Sequence, residues 1–336
     1  MKKLAVLLPS YNAAAYLKES IDSILNQTFS EFDLYVYDDC STDDTAEIVL
    51  GYTDPRVFYK KNESNLGISK TLNKGLEALL PHYQYIARMD ADDWSYPERF
   101  IKQLEYLEEN KEIVLCGTQG YWLKDINQNP ISGWRYPKRH EYIRLCLLFG
   151  ASFGHSSVMI RTVFFNKYNL RYSESVATCE DWELWIRVLQ LGKSGNLSDF
   201  LMKYRVLNNS NHRSIDNQQQ HKIEKSKIIS NYWSNFAIVL SPKQVFDFYY
   251  NENQISKTEF VANCIIFIRS FNQLYKTGSV DLDKNEKRTL AYMLARKILN
   301  YWKRTGVSRK NPMIWFVLVI EVRFLNRIKW IKYVIR

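Results

Sequence analysis

Arg88-Met89-Asp90-Ala91-Asp92-Asp93 places three carboxylates within four positions, directly after the apolar Tyr85-Ile86-Ala87. That much negative charge at a strand end is costly unless a cation or a cationic substrate arrives. An Asp-x-Asp at such a place suits a hard divalent ion that itself carries a phosphate-bearing ligand. Taken alone such a motif is more often an acidic turn in solvent, so the elements that position it decide its meaning.

Those elements alternate. Lys3-Leu4-Ala5-Val6-Leu7-Leu8-Pro9 is a continuous apolar run of the kind that forms a fully buried parallel strand. Ser10-Tyr11-Asn12 makes a turn, and Tyr16, Leu17, Ile21, Ile24 and Leu25 follow at helical spacing. A second run, 32–37, ends on Asp38-Asp39-Cys40-Ser41-Thr42-Asp43-Asp44-Thr45, where Ser41 or Thr42 can cap a helix starting near Asp43. Val57-Phe58-Tyr59 leads to Asn65-Leu66-Gly67 and a helix over 68–80; the fourth strand then delivers the Asp cluster. Four strand–helix alternations predict an α/β fold with a parallel sheet covered on both faces. Ligands bind such sheets beyond the carboxyl ends of the strands, where Pro9-Ser10-Tyr11, Asp38-Asp39 and Asp90-Ala91-Asp92 all fall.

The ordered set Pro9-Ser10-Tyr11-Asn12, Asp38-Asp39 with Ser41, Asp43 and Thr45, Asn65 with Gly67, Asp90-Ala91-Asp92-Asp93 with Pro97 and Arg99, and finally Glu180-Asp181-Trp182 resembles the family 2 glycosyltransferases. The resemblance spans residues 1–215. It implies an inverting enzyme with the GT-A nucleotide-sugar-binding fold, a mostly parallel central sheet flanked by helices, followed here by a helical C-terminal appendage over 216–336. It further implies that Tyr11 and the Pro9 carbonyl region line the nucleobase pocket, and that Asp39 accepts the uracil N3 proton, favouring a UDP-sugar. Asp90 would approach the ribose or donor sugar, with Asn65 and Arg88 as neighbours, although Asn65 with Gly67 also marks a turn needing unusual backbone angles. Asp92 would reach Mn2+ or Mg2+ on the diphosphate. Asp93 would bind acceptor or sugar, or cap the helix running from Pro97. Asp181 would be the general base, and the helix read over 182–189 puts it at a positive helix end that keeps it ionised. Glu180 would orient acceptor or base. The segment 154–161 resembles the strand preceding the acidic pair; its His155 would contact acceptor or diphosphate, or serve structure. Trp122, Trp134, Phe149, Phe153 and Trp182 offer aromatic surface for sugar rings or simply fill the core. The pattern departs after Tyr204-Arg205: the His that many relatives carry two residues on is Leu207 here, with His212 as a possible substitute.

Composition bounds the remainder. Five cysteines, Cys40, Cys116, Cys146, Cys179 and Cys264, form no close pair, which argues against a disulfide framework or zinc site and for a reducing cytoplasm. The first strand begins almost at once, leaving no room for a signal peptide. Residues 216–336 carry 21 Lys and Arg against 9 Asp and Glu, whereas residues 1–215 carry 25 against 27. Helices are expected over 222–234, 257–275 and 285–304. After Pro312, the apolar run 313–320 is far shorter than the roughly 20 residues that cross a bilayer. Phe324, Leu325, Ile328, Ile331 and Ile335 continue at helical spacing, interspersed with Arg323, Arg327, Lys329, Lys332 and Arg336. This predicts a basic amphipathic helix on an anionic membrane surface, or one docked on the catalytic domain. The expectation is a cytoplasmic enzyme, peripheral at the inner face of the membrane, with a lipid-linked or lipopolysaccharide oligosaccharide as glycan acceptor. No recognition motif supports nucleic-acid binding. A nucleotidyltransferase would want a Gly-rich basic phosphate loop, which Ser10-Tyr11-Asn12-Ala13-Ala14 is not. A non-catalytic membrane-associated scaffold would be expected to lack Asp39, Asp92 or Asp181, and all three are present.

Overall fold

The computed structural model describes residues 1–124, 129–207, 215–236, 238–250, 282–287 and 289–290, with scattered positions from 259 to 269 and at 293. The chain divides into two compact units: Met1–Leu147 with Ala151–Asn217, and Leu148–Gly150 with the residues from Gln218 on.

In the first unit the chain runs β1 (Lys2–Ser10), α1 (Ala14–Leu25), β2 (Phe32–Asp38), α2 (Thr45–Leu50), β3 (Val57–Lys61), α3 (Ile68–Leu79) and β4 (Tyr83–Arg88). It continues β5 (Trp94–Ser95), α4 (Arg99–Glu109), β6 (Ile113–Leu123), β7 (Ser132–Trp134) and α5 (His140–Cys146). A single 3-10 turn (His155–Ser157) precedes β8 (Met159–Arg161), α6 (Thr162–Lys167), α7 (Glu180–Leu191) and β9 (Lys193–Arg205). The strands form one sheet in the order β3-β2-β1-β4-β8-β6-β9-β5, with β7 on β6. β3, β2, β1 and β4 are parallel, and the central β1 is buried from Leu4 on, as its apolar run predicts. β8 joins antiparallel to both β4 and β6, and β6 and β9 pair in parallel through a register broken by bulges.

Leu4, Val6 and Leu8 of β1 pack in one buried core with Leu17, Ile21 and Ile24 of α1, while α3 covers the opposite face. The fit there is close: a methyl added at Gly75 would come 2.3 Å from Leu7 Cδ1. One expectation is corrected. Neither Ser41 nor Thr42 caps α2, whose N-cap is Asp44 without a side-chain bond. Their loop serves α1 instead: Ser41 Oγ, Thr45 Oγ1 and Asp43 Oδ2 accept from the N–H groups of Asn12, Ala13 and Ala14. These donors sit at the start of α1, where backbone N–H groups lack helical partners.

The second unit contains α8 (Ile215–Ser234), from Gln218 on, and α9 (Pro242–Tyr250). Trp233 packs edge-on against Phe149, and the Tyr249 hydroxyl donates to the Leu148 carbonyl. Of the helices expected over 257–275 and 285–304 only some positions are described, each of them helical, and His212 and the amphipathic segment after Pro312 lie outside the described residues. Among the described residues no helix is long and apolar enough to cross a membrane.

Candidate active site

The loops after β1 and β2 interlock. Asn12, at φ +48°, turns its Oδ1 to the Thr42 N–H, and Cys40 answers with φ +63° on the facing loop. This leaves Tyr11 half-exposed above a cavity of ≈ 290 Å³ lined by Pro9, Ser10, Tyr11, Asp39, Asn65, Gly67, Ile68 and Thr71. Asp39 forms its inner wall. Its Oδ1 accepts from Asn62 Nδ2 (2.8 Å) and the Leu66 N–H (2.9 Å), its Oδ2 from the Gly67 N–H (2.8 Å). Burial pushes Asp39 upward, but these donors, with the Thr71 hydroxyl, outweigh it and hold the carboxyl below its ordinary value. Gly67, at φ +83°, supplies the left-handed turn that aims its N–H at Asp39. Asp38 is committed elsewhere, accepting from the Ser41 N–H and the Tyr59 hydroxyl.

The second set of residues leaves the neighbouring strand end. Leu7 of β1 pairs with Arg88 of β4, and the Met89 N–H donates to the Leu7 carbonyl, so the chain beyond both strands emerges on one rim. Every turn of the Asp cluster is pinned. Arg99 Nη2 holds the Arg88 carbonyl (2.7 Å), Ser20 the Asp90 carbonyl (2.9 Å) and Arg205 Nε the Asp92 carbonyl (3.1 Å). Ligand oxygens of Asp90, Asp92 and Asp93 lie within 4.8 Å of one another. Asp90 is ion-paired with Arg88 and bonded by Ser156. Burial opposes its charge, but Arg88 and His155 overcome this and keep its pKa low. Asp93, 1 % exposed, meets Ser156 and the Arg205 N–H and does not cap α4, whose N-cap Glu98 makes no side-chain bond. Burial first, then Asp92 and Asp90, drive Asp93 well above the carboxylate range. Asp92 differs. Among the described residues no other residue donates to its carboxylate, and burial followed by Asp90 pushes it up to about 6. A partly buried carboxylate with two acidic neighbours and an open oxygen face fits a hard divalent cation.

The acidic pair opens α7. Asp181 Oδ1 accepts from the Trp182 N–H (2.7 Å) in the first turn, the expected positive helix end. Glu180 is 6 % exposed, its Oε2 has no hydrogen-bond partner among the described residues, and burial followed by Asp181 pushes it up to about 8. Both ends of the site act on the same groups. Arg88 and Asp90 are felt by Glu180, and the buried Tyr172 phenol feels Arg88, Asp181, Glu180 and Asp90. Tyr172 is bonded to His155 Nε2 (2.8 Å), and burial followed by the charge of Asp181 pushes the Tyr136 phenol upward.

Arg88, Asp90, Asp92, Asp93, His155, Glu180 and Asp181 are thus one group; Pro9, Tyr11, Asp39 and Asn65 are a second, at the adjoining strand end. Trp182 is buried, which leaves little of its ring for a ligand. Trp134 is buried as well and donates through Nε1 to the Thr118 carbonyl. Ser156, Tyr172 and Ser20 join the site without an assigned role in the sequence, because a lone serine or tyrosine carries no periodicity or motif of its own, and Arg205 joins them from the Tyr204-Arg205 pair.

A mostly parallel sheet with nucleotide-sized and acidic sites at its carboxyl rim defines a GT-A glycosyltransferase fold. Known structures share it: Staphylococcus aureus TarS 1–349 in complex with UDP covers 90 % of each chain at TM-score 0.57 and 18 % identity. The mannosyltransferase PcManGT of Pyrobaculum calidifontis, in complex with GDP-Man and Mn2+, covers 96 % of this chain and 86 % of its own at TM-score 0.52 and 14 % identity. The family model described as glycosyl transferase family 2 matches residues 5–167. An uncharacterised glycosyltransferase of Methanocaldococcus jannaschii is 32 % identical over 244 residues, 69 % of this chain and 80 % of that protein. The putative glycosyltransferase EpsE of Bacillus subtilis is 32 % identical over 209 residues, 60 % and 73 % of the two chains. The chain belongs to glycosyltransferase family 2.

Proposed function

We propose that the protein is an inverting transferase that moves a hexosyl or N-acetylhexosaminyl unit from a UDP-sugar to a hydroxyl of a lipid-linked or lipopolysaccharide oligosaccharide. The observation that carries this reading is the meeting of the α7 N-terminus with the Asp cluster, beside a cavity walled by Tyr11 and Asp39. Tyr11 stacks on the base and Asp39 accepts its N3 proton. Asn65, Arg88 and Asp90 face the ribose and donor sugar. Asp92 would hold Mn2+ or Mg2+, which when bound offsets the charge gathering on the leaving diphosphate. Asp181 takes the proton of the acceptor hydroxyl as it attacks in line, so no covalent intermediate forms and the anomeric centre inverts. Glu180 sits beside the base on the first turn of α7, and Asp93 and His155 stand on the acceptor side.

The lipid-linked acceptor and the anionic membrane surface rest on the basic amphipathic pattern after Pro312. Asp181→Asn tests the chemistry. A positioned base is worth on the order of 10²–10⁴ in rate, so transfer should fall by that factor while nucleotide affinity stays within about twofold, a change under ~0.5 kcal/mol. Transfer near the normal rate would remove Asp181 from its role.

A further inference from the structure

Glu180 is a buried carboxyl whose surroundings, among the described residues, offer no counter-charge to spare. Asp181 lies beside it on the same turn of α7. Across from it, after β4, Asp90 already engages Arg88, and Arg88 is further bonded to Ser156. From the loop before α7 comes the Tyr172 phenol, which is bonded to His155. An ionised Glu180 would sit between two carboxylates with an unsatisfied, solvent-shielded oxygen. A neutral acid removes the repulsion and has an O–H to give. Two adjacent carboxyls driven apart in acidity can divide two tasks between them.

We propose that Glu180 works as a neutral acid that donates a hydrogen bond to an oxygen of the donor sugar, while Asp181 beside it remains the charged base. The assignment rests on the proposed donor site, because Arg88 and Asp90, the groups it faces, are there given to the donor sugar. The upward shift to about 8 has the matching sign: the proton is present at pH 7 and leaves as pH rises through that value.

The probe is the gain in affinity of a nucleotide sugar over its bare nucleotide. UDP is compared with UDP-glucose, UDP-galactose and UDP-N-acetylglucosamine, and GDP with GDP-mannose, by calorimetric titration of the full chain with Mg2+ between pH 7 and pH 9. The pair with the largest gain is kept. In the wild type that gain should shrink about tenfold across this range, as expected for one group titrating near 8. Glu180→Gln, whose amide also donates, should keep the gain at pH 9; Glu180→Ala should lack it throughout. Thermal unfolding of the same proteins gives a ligand-free check. With its folded pKa raised, Glu180 makes wild-type stability fall between about pH 5 and pH 8 relative to the Gln variant. A Gln variant that behaves like Ala, a gain independent of pH, or no gain in any pair overturns the proposal. Failure of every nucleotide to bind sinks the donor reading itself, whereas normal nucleotide binding with a pH-flat gain sinks only Glu180.

Discussion

Asp39 and Gly67 act as one device. The carboxylate accepts the Gly67 N–H, and the turn that presents this N–H needs φ +83°. A methyl at Gly67 would meet nothing within 4 Å, so the cost of Gly67→Ala is in the backbone alone, where φ +83° with ψ 163° is a region essentially reserved for glycine, about 1–3 kcal/mol. The turn should relax, Asp39 should lose a donor, and nucleotide affinity should fall severalfold; thermal unfolding and nucleotide titration measure the two effects. At this scale the acidic residues are legible in the sequence, because carboxylates crowded at a strand end repel one another until a cation or donor answers them. Ser156 and Tyr172 are not, since tertiary packing alone brings them to Asp90 and His155.

Arg99 and Gln103, one turn apart on α4, sew three elements together. The fully buried Arg99 guanidinium gives Nε to Gln103 and Nη2 to the Arg88 and Val158 carbonyls, and its Nη1 faces the sulfurs of Met89 and Met202. Gln103 passes its amide to the Ser157 and Cys116 carbonyls. No carboxylate hydrogen-bonds this guanidinium among the described residues, and burial lowers its pKa to about 9. Arg99→Met would strand the Arg88 carbonyl at roughly 1–3 kcal/mol, whereas the Val158 carbonyl keeps the Arg88 N–H. Urea unfolding should show a loss of about 1–3 kcal/mol, and nucleotide binding with Mg2+ present should suffer more than binding of the nucleoside. The elements themselves are unevenly legible. β1 to β4 announce themselves as apolar runs, and α7 by its period. β6 and β9 do not, because glycines and bulges break their alternation, and β5, β7 and β8 are two or three residues long. The loop over 41–45 misleads for a physical reason: its side chains cap the helix before it, a partner that spacing along the chain does not reveal.

For the molecule as a whole, charge and chemistry part company along the chain. The acid-rich site lies in the first unit, and the net positive charge lies in residues 216–336. Removing the residues after 310 should release the protein from vesicles of anionic lipid at low salt, each lost basic residue counting about 1 kcal/mol near the surface. Nucleotide affinity should stay as it was. Vesicle co-sedimentation is the measurement, and retained binding would favour a helix docked on protein instead.

Because Leu148 and Phe149 keep company with Tyr249 and Trp233 rather than with their sequence neighbours, the frontier between the two units is crossed more than once. A chimaera made by one splice near residue 217 would therefore unite rings from one parent with a foreign Leu148 and Phe149. Recombination between relatives of this enzyme should succeed only where that short passage is exchanged together with the tail.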